Sequence, residues 1–281
     1  MTSKDFSNSE FPTTGEGRVY HLGAKKGEIY NRIVTSGDVG RIKRIKTHLT
    51  EIHYEIESSR CFYIVSGVYK GFNVTLVASL MGYPNMDFAV RELRAIVDGP
   101  MVIIRLGTCG SPRADSRLGD IAIGRETRGI YRNPDAFRPG APADMEKYHI
   151  TLPAKGCDRL SDIVKAKLIE QELNVVEGTT FSGCTFYSAQ GRVGVHFDDK
   201  NEHILDRIVN EVPDAVNIEM ESFHLFDLAE NAMPGYEMYV SAIAIIIAKR
   251  DSGAFITNEE KYKAELICGT ACLDTIVEFE F

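Results

Sequence analysis

The chain has 281 residues, of which 44% are hydrophobic, and a single domain of this size can bury roughly three quarters of its unfolded surface. Its formal net charge of −8 excludes a general attraction to nucleic acid or to an anionic membrane surface, so any bound anion must meet a local cluster of basic side chains. The longest apolar run, residues 242–248, is far shorter than the ~20 residues of a membrane span and is typical of a buried central strand.

The ends and the cysteines of the chain predict its organisation and compartment. Residues 1–17 are polar, without an apolar stretch of signal-peptide length, so we expect a flexible tail at 1–17, one folded domain at 18–281 and a cytoplasmic protein. The six cysteines lack the paired spacing of a zinc site. We therefore expect reduced thiols and no bound metal.

The first predicted elements alternate between strand and helix. Residues 61–69 and 72–80 are β-rich and flank a Lys-Gly turn, which predicts a hairpin. Residues 85–98 have apolar side chains at helical spacing and end before a Gly-Pro pair. Residues 101–106 are wholly apolar apart from Arg105, and a buried strand after a helix indicates an α/β protein with a mostly parallel sheet.

The remainder of the chain repeats this alternation. The predicted strands lie at 120–125, 175–181 and 242–248, and the predicted helices at 158–172, 201–212, 219–231 and 258–277. Residues 128–143 are rich in Pro, Gly and Arg and predict a long surface loop.

Two glycine-rich turns, each near an arginine, are candidates for an anion site. Arg105 lies at the end of a buried strand and needs an anion, which could be a core carboxylate. The turn predicted at 107–110 could instead present backbone N–H groups and the Thr108 hydroxyl to a ligand. The turn at 36–41 precedes a basic helical segment, so it could bind phosphate at a helix start, or Arg41 could simply face solvent.

Two further segments carry groups suited to a nucleoside. Phe186 is followed by Gln190 and Arg192, which could grip a planar ring with carbonyl groups and an N–H, although a solvated loop would contain the same residues. Glu219 and Glu221 stand where an apolar segment becomes an amphipathic helix. They could satisfy the helix dipole, or one of them could accept hydrogen bonds from vicinal sugar hydroxyls.

In their order along the chain, these motifs resemble the uridine phosphorylase branch of the nucleoside phosphorylase family. The resemblance runs from about Tyr20 to the C-terminus and rests on Gly37-Asp38-x-x-Arg41, Arg60, Arg105-Leu-Gly-Thr108, Phe186-x-x-x-Gln190-x-Arg192 and Glu219-Met220-Glu221. It implies an α/β fold, with a single domain of three α/β/α layers around a central mixed, twisted sheet.

The resemblance also implies a reaction and the residues that carry it. The reaction is phosphorolysis of uridine to uracil and ribose 1-phosphate in pyrimidine salvage, with inorganic phosphate as co-substrate and no cofactor. Deoxyuridine, which would give deoxyribose 1-phosphate, is a further candidate substrate, and the residue types do not fix the choice among uridine, deoxyuridine and thymidine. The implied phosphate-binding residues are Gly37, Arg41, Arg60, Arg105 and Thr108. The implied ribose-binding residues are His21, Thr108, Glu219, Met220 and Glu221, and the base-binding residues are Phe186, Gln190 and Arg192. Those expected to carry catalysis are Arg105, Gln190, Arg192 and Glu221.

Assembly and specificity follow from the same resemblance. Arg60 and His21 would reach the site of a neighbouring subunit, so a homodimer with shared active sites is expected, and relatives also assemble such dimers into hexamers. Cys61 stands beside Arg60 where an interface ion would need an acidic ligand, so no ion is predicted. Tyr83 and Lys249 depart from the family pattern and could alter base preference. Purine phosphorolysis, hydrolysis by water and non-catalytic nucleoside binding remain the alternatives.

Overall fold

The structure, a computed structural model, describes residues 5–281. Its helices are α1 Val39–Ile45, α2 Tyr83–Ile96, α3 Asp158–Glu170, α4 Ile204–Glu211, α5 Ser222–Glu230 and α6 Asn258–Glu278. Its strands are β1 Phe6–Ser7, β2 Thr13–Thr14, β3 Arg32–Ser36, β4 Glu51–Glu57, β5 Tyr63–Tyr69, β6 Phe72–Ala78, β7 Met101–Ser111, β8 Ile121–Arg132, β9 Tyr148–Ile150, β10 Ala154–Lys155, β11 Val175–Gly183, β12 Ala215–Glu219 and β13 Met238–Lys249.

One mixed sheet organises the domain. Its 11 strands follow the order β10-β8-β11-β12-β7-β3-β6-β5-β4, with β9 added at β8 and β13 paired to both β7 and β8. The β3–β7 and β7–β13 pairs are parallel, whereas β4–β5 and β5–β6 are antiparallel. Because β13 bridges β7 and β8, the strands β8, β11, β12, β7 and β13 close into a ring.

Helices cover both faces of this sheet. On one face, α1, α3 and α6 contribute Ile45, Leu160 and Cys268 to a fully buried cluster. On the other face, α2 and α5 contribute Leu93 and Phe226 to a second cluster. The predicted α/β fold, three layers around a mixed sheet, is therefore confirmed.

Most elements lie where the apolar pattern predicts them, but the turn predicted at 107–110 is wrong. These residues continue β7, and Gly107 pairs with Ala244 of β13. The glycine is needed for space, because a Cβ at Gly107 would collide with the Arg105 guanidinium. Glycine therefore makes room beside a buried cation here, rather than permitting a turn.

The long loop predicted at 128–143 begins too early. Strand β8 extends to Arg132 because it pairs with β11 on one side and with β9 on the other, and Ile130 of this extension is fully buried. The irregular segment that follows contains the 3-10 helix Pro134–Phe137. Partner strands distant in sequence thus overrode the local Arg and Gly composition.

The predicted tail is only partly described. Residues 1–4 lie outside the described residues, and β1 and β2 pair with each other before the main sheet begins. The boundary between residues 17 and 18 stays a prediction. None of the helices in residues 5–281 is long and apolar enough to cross a membrane.

Candidate functional site

A cavity of about 250 Å³ opens at the carboxyl ends of β3, β7, β12 and β13. It is lined by every predicted site residue except His21 and Arg60: Gly37, Arg41, Arg105, Thr108, Phe186, Gln190, Arg192, Glu219, Met220 and Glu221. In α/β proteins the carboxyl ends of strands are the usual place for ligands, since loops and helix starts converge there. The structure therefore brings together segments that are far apart in sequence.

Arg41 lines this cavity and is buried, not solvent-facing. Its Nε donates to Glu265 of α6 at 3.0 Å, and its Nη1 donates to the Ser36 hydroxyl and the Leu106 carbonyl at 2.8 and 2.9 Å. Burial lowers the pKa of Arg41, and the Glu265 carboxylate opposes that shift. The remaining nitrogen, Nη2, lies 3.5 Å from the Thr108 hydroxyl, so arginine and hydroxyl form one donor pair at the cavity wall.

Arg105 occupies the floor of the cavity and is only 3% exposed. It forms a short ion pair with Glu221, and its Nη2 lies 3.3 Å from Glu219. Burial acts to lower the pKa of Arg105, but the charges of Glu221 and Glu219 outweigh burial and raise it. Within residues 5–281 its Nε and Nη1 have no hydrogen-bond partner. The core carboxylate considered from the sequence is thus present, and it belongs to the cavity itself.

The two carboxylates beside Arg105 differ in their contacts. Glu219 accepts hydrogen bonds from the Ser182 hydroxyl and from the backbone N–H groups of Glu221 and Ser222, at 3.0 and 3.1 Å. These donors hold the first residues of α5 in place, as a helix cap does. Glu219 therefore has little capacity left for another ligand.

Glu221 accepts a hydrogen bond from the Gly82 backbone N–H at 2.6 Å. Gly82 has a φ of +88°, a left-handed conformation that favours glycine, so this contact explains the glycine before α2. Burial raises the pKa of Glu221, and the neighbouring Arg105 opposes the shift. With Arg105 and Gly82 both orienting it, the Glu221 carboxylate is fixed in one position facing the cavity.

The cavity lining also includes an amide and a guanidinium. Gln190 ends the 3-10 helix Ser188–Gln190 and is 2% exposed. Its Oε1 accepts a hydrogen bond from Arg192 at 2.6 Å, while its Nε2 is buried without a partner in residues 5–281. The Arg192 guanidinium lies 3.7 Å from the centre of the Phe186 ring. Burial and the nearby Arg250 lower the pKa of Arg192 to about 10.

Other residues of the site were missed by the sequence analysis. Arg250 donates to the carbonyls of Gln190 and Gly191 at 2.9 and 3.2 Å and so holds the turn that carries the amide. The cavity is also lined by Asp38, Met81, Ile218, Ile247, Phe255 and Lys261. Asp38 belongs to the Gly37-Asp38-x-x-Arg41 motif, but no local motif marks the other side chains, because strand order and helix packing bring them to the cavity.

The two departures from the family pattern lie outside the cavity lining. The Tyr83 hydroxyl donates to the Ser182 carbonyl at 2.6 Å, and the Lys249 ammonium donates to the Ala114 carbonyl at 2.8 Å. Neither side chain is among the residues that line the cavity.

His21 and Arg60 also lie away from the cavity of their own chain. The His21 ring stacks on Phe88 with ring centres 3.8 Å apart, and its Nδ1 lies 2.7 Å from Glu92. The Arg60 guanidinium lies 4.0 Å from the centre of the Tyr20 ring. Both side chains therefore contact other residues of the chain and do not line the cavity. No group of three or more metal-binding side chains occurs in the described part of the chain.

Comparisons with known proteins show the family and the fold. The model of the phosphorylase superfamily matches residues 31–276. A solved structure from work on two diverse uridine phosphorylases of the oomycete Phytophthora capsici is 36% identical, with a TM-score of 0.94, covering 99% of this chain and 100% of that one.

Two curated proteins extend the comparison. A uridine phosphorylase of Thermococcus kodakarensis is 27% identical over 271 residues, covering 95% of this chain and 90% of that protein. A DeoD-type purine nucleoside phosphorylase of Oceanobacillus iheyensis is 25% identical over 263 residues, covering 92% and 99% of the two chains.

Proposed function

The chain belongs to the phosphorylase superfamily, and on this premise we propose that its cavity catalyses phosphorolysis of uridine and deoxyuridine in pyrimidine salvage. The products are uracil and (deoxy)ribose 1-phosphate. The observation that carries the proposal is the set of groups that line one cavity: two arginines, a fixed carboxylate and a buried amide with an unused donor. These groups match phosphate, ribose and base in turn.

Phosphate binds between Arg41 and Arg105. The Arg41 Nη2 and the Thr108 hydroxyl form one donor pair, and Arg105 supplies the nitrogens that lack a protein partner. The backbone of Gly37, at the start of the segment leading into α1, adds an N–H donor close to the ligand. Arginine donors suit a phosphate because each presents several N–H groups in a planar fork.

Ribose binds against Glu221 and Met220. A carboxylate has enough lone pairs to accept hydrogen bonds from both the 2′- and 3′-hydroxyls, in addition to those from Arg105 and Gly82. Met220 packs against the sugar. Because its oxygens are engaged by the start of α5, Glu219 is assigned to positioning Glu221 and Arg105, not to contacting the sugar directly.

Uracil binds at the Gln190 end. The Nε2 group of Gln190 donates to a carbonyl of the base, which satisfies a buried donor that lacks a partner in the free protein. Arg192 donates to the same polar edge, and the partly exposed Phe186 ring offers a face for stacking. A hydrophobic pocket without these donors would not distinguish uracil from another planar base of similar shape.

The reaction follows from where charge develops. A phosphate oxygen forms a bond to the anomeric carbon C1′ while the bond from C1′ to the base nitrogen breaks. The bonding electron pair leaves with uracil, which then takes a proton from solvent. Gln190 and Arg192 face the negative charge on the departing base, and one preorganised donor of this kind contributes about 3 to 4 kcal/mol. Phosphate is the co-substrate, and we propose that no resident cofactor takes part.

The active unit is proposed to be a homodimer. His21 and Arg60 lie outside the cavity of their own chain, and in a dimer they would complete the partner's ribose and phosphate sites. Assembly of such dimers into a hexamer stays a prediction. A cytoplasmic location is supported by the six unpaired cysteines, which are typical of a reducing compartment.

The test is phosphate-dependent consumption of uridine by the purified protein. Uridine, 2′-deoxyuridine, thymidine and inosine are each incubated with and without phosphate, and bases and sugar phosphates are quantified by chromatography. We expect equal amounts of uracil and ribose 1-phosphate from uridine, formed only when phosphate is present.

Three outcomes would overturn the proposal. Free ribose formed without phosphate would indicate a nucleosidase, preferential cleavage of inosine would indicate a purine enzyme, and intact uridine would indicate a binding protein. The Lys249→Met variant serves as a matched control, because Lys249 does not line the cavity and its replacement should leave the base preference unchanged.

A further inference from the structure

Lys261, in the first turn of α6, lines the same cavity beside Asp38 and Arg41. Its position follows from helix geometry. Glu265, four residues later on α6, is fully buried and pairs with Arg41 at 3.0 Å. Side chains four residues apart share one face of a helix. Lys261 therefore lies one turn above the Glu265–Arg41 ion pair, on the face that looks into the phosphate end of the cavity.

The charges around Arg41 and Arg105 favour a further cation at the phosphate site. Arg41 pairs with Glu265, which also pairs with Arg44, and Arg105 pairs with Glu219 and Glu221. An approaching phosphate therefore meets arginines whose positive charge is already compensated by buried carboxylates.

Asp38 adds a further negative charge at the same place. Its carboxylate accepts a hydrogen bond from the Arg41 backbone N–H at 3.1 Å, as the N-terminal cap of α1, and it also lines the cavity. Arg44 lies 4.0 Å from this carboxylate but also pairs with Glu265, so Arg41, Arg44 and Arg105 together face four carboxylates. The excess negative charge repels an incoming phosphate dianion.

Lys261 differs from the two arginines in being unpaired. No carboxylate in residues 5–281 lies within the 4.0 Å of an ion pair with its ammonium, which lies 4.7 Å from the centre of the Tyr262 ring. The side chain is only partly buried, so its charge is available to solvent and to the cavity at once.

We propose that Lys261 is a phosphate-recruiting residue: its ammonium draws inorganic phosphate past Asp38 into the cavity and helps to retain it there. This inference rests on the proposed phosphorolysis. It assigns Lys261 to the binding of phosphate alone, since Lys261 lies one helical turn from Glu265, the partner of the phosphate-binding Arg41.

The test compares Lys261→Gln with Lys263→Gln. Both variants remove one positive charge from the same helix, but Lys263 is exposed and does not line the cavity. For Lys261→Gln we expect the KM for phosphate to rise about tenfold at low ionic strength, with kcat and the KM for uridine changed less than twofold. Adding salt should reduce this difference, because screening weakens the Lys261 contribution in the wild-type protein. Lys263→Gln should match the wild type.

A conservative variant separates charge from packing. Lys261→Arg keeps the charge and should keep the KM for phosphate near that of the wild type, whereas a loss shared by Lys261→Gln and Lys261→Arg would overturn the inference. An unchanged KM for phosphate in Lys261→Gln, at low and high salt, would overturn it as well. Failure of the wild-type protein to consume uridine with phosphate would instead refute the proposed function, so the two failures are distinguishable.

Discussion

Glu221→Gln keeps the size of a buried side chain, removes its charge and exchanges one acceptor oxygen for an NH2 group. In the structure the carboxylate pairs with the Arg105 guanidinium and accepts a hydrogen bond from the Gly82 N–H at 2.6 Å. It also lines the side of the cavity assigned to ribose. Glutamine retains one carbonyl oxygen as an acceptor and replaces the other oxygen with a donor. One sugar hydroxyl therefore loses its acceptor, and the other loses a charged one.

The size of the effect can be worked from these contacts. A hydrogen bond to a charged group contributes about 1.5 to 3 kcal/mol, and a neutral one roughly half of that. The combined loss is about 2 to 4 kcal/mol, which lowers kcat/KM for uridine by about 30- to 1,000-fold. Arg105 keeps Glu219 at 3.3 Å as a counter-charge. The free energy of unfolding should therefore fall by about 1 to 3 kcal/mol, less than the 3 to 5 kcal/mol of a buried ion left unpaired.

The assay compares two substrates and two variants. Initial rates with uridine and 2′-deoxyuridine give kcat/KM for each, and thermal unfolding gives the change in stability. Because 2′-deoxyuridine lacks the 2′-hydroxyl, its fold-loss in Glu221→Gln should be about tenfold smaller than that of uridine. Glu219→Gln is the matched control, and it should chiefly lower the thermal midpoint, because Glu219 accepts hydrogen bonds from the start of α5.

Two results would refute the reasoning. One is a folded Glu221→Gln protein whose kcat/KM for uridine stays within threefold of the wild type. The other is an equal fold-loss for the two substrates, which would show that the carboxylate does not contact the 2′-hydroxyl.

Three further predictions concern the base site, the thiols and helix packing. Steady-state kinetics should show that Gln190→Met lowers kcat/KM for uridine about 100-fold with little change in the KM for phosphate. An equal fold-change in the two parameters would contradict the assignment of Gln190 to the base. Burial raises the pKa of Cys109 to about 12, so at pH 8 iodoacetamide should label the exposed Cys61 and leave Cys109 unmodified until the protein unfolds, as peptide mass spectrometry will determine. Gly269→Ala places a Cβ 2.6 Å from Cγ1 of Ile45, so calorimetry should show a loss of about 1 to 3 kcal/mol in stability, and an unchanged melting temperature would disprove the close contact.

Local sequence pattern predicted much of the fold. Apolar spacing alone placed α2, α3 and α6 to within a few residues, since a helix face must repeat about every 3.6 residues to stay buried. A Lys-Gly pair between two β-rich stretches likewise predicted the β5–β6 hairpin. Patterns of this kind record which side of an element is buried, because apolar side chains recur on that side at the period of the helix or strand.

Pairing between distant strands decided the errors. The glycines at 107–110 predicted a turn, but β7 continues through them because β13 pairs with this part of the strand. The Arg105 side chain occupies the space that a Cβ at Gly107 would need. Residues 128–132 were predicted to be part of a loop, but pairing with β11 and β9 keeps them in the sheet. Sequence composition carries no record of which strand will lie alongside.

For the site, the sequence predicted the residue types but not the side chains with which they form ion pairs. Motif order identified Arg41, Arg105, Gln190 and Glu221 as candidates for binding phosphate, base and sugar. Their electrostatic setting depends on contacts across 116 residues between Arg105 and Glu221, and across 224 between Arg41 and the carboxylate of α6. Only the order of strands and the packing of α6 bring these charges together, because Coulomb interactions depend on distance in space and not along the chain.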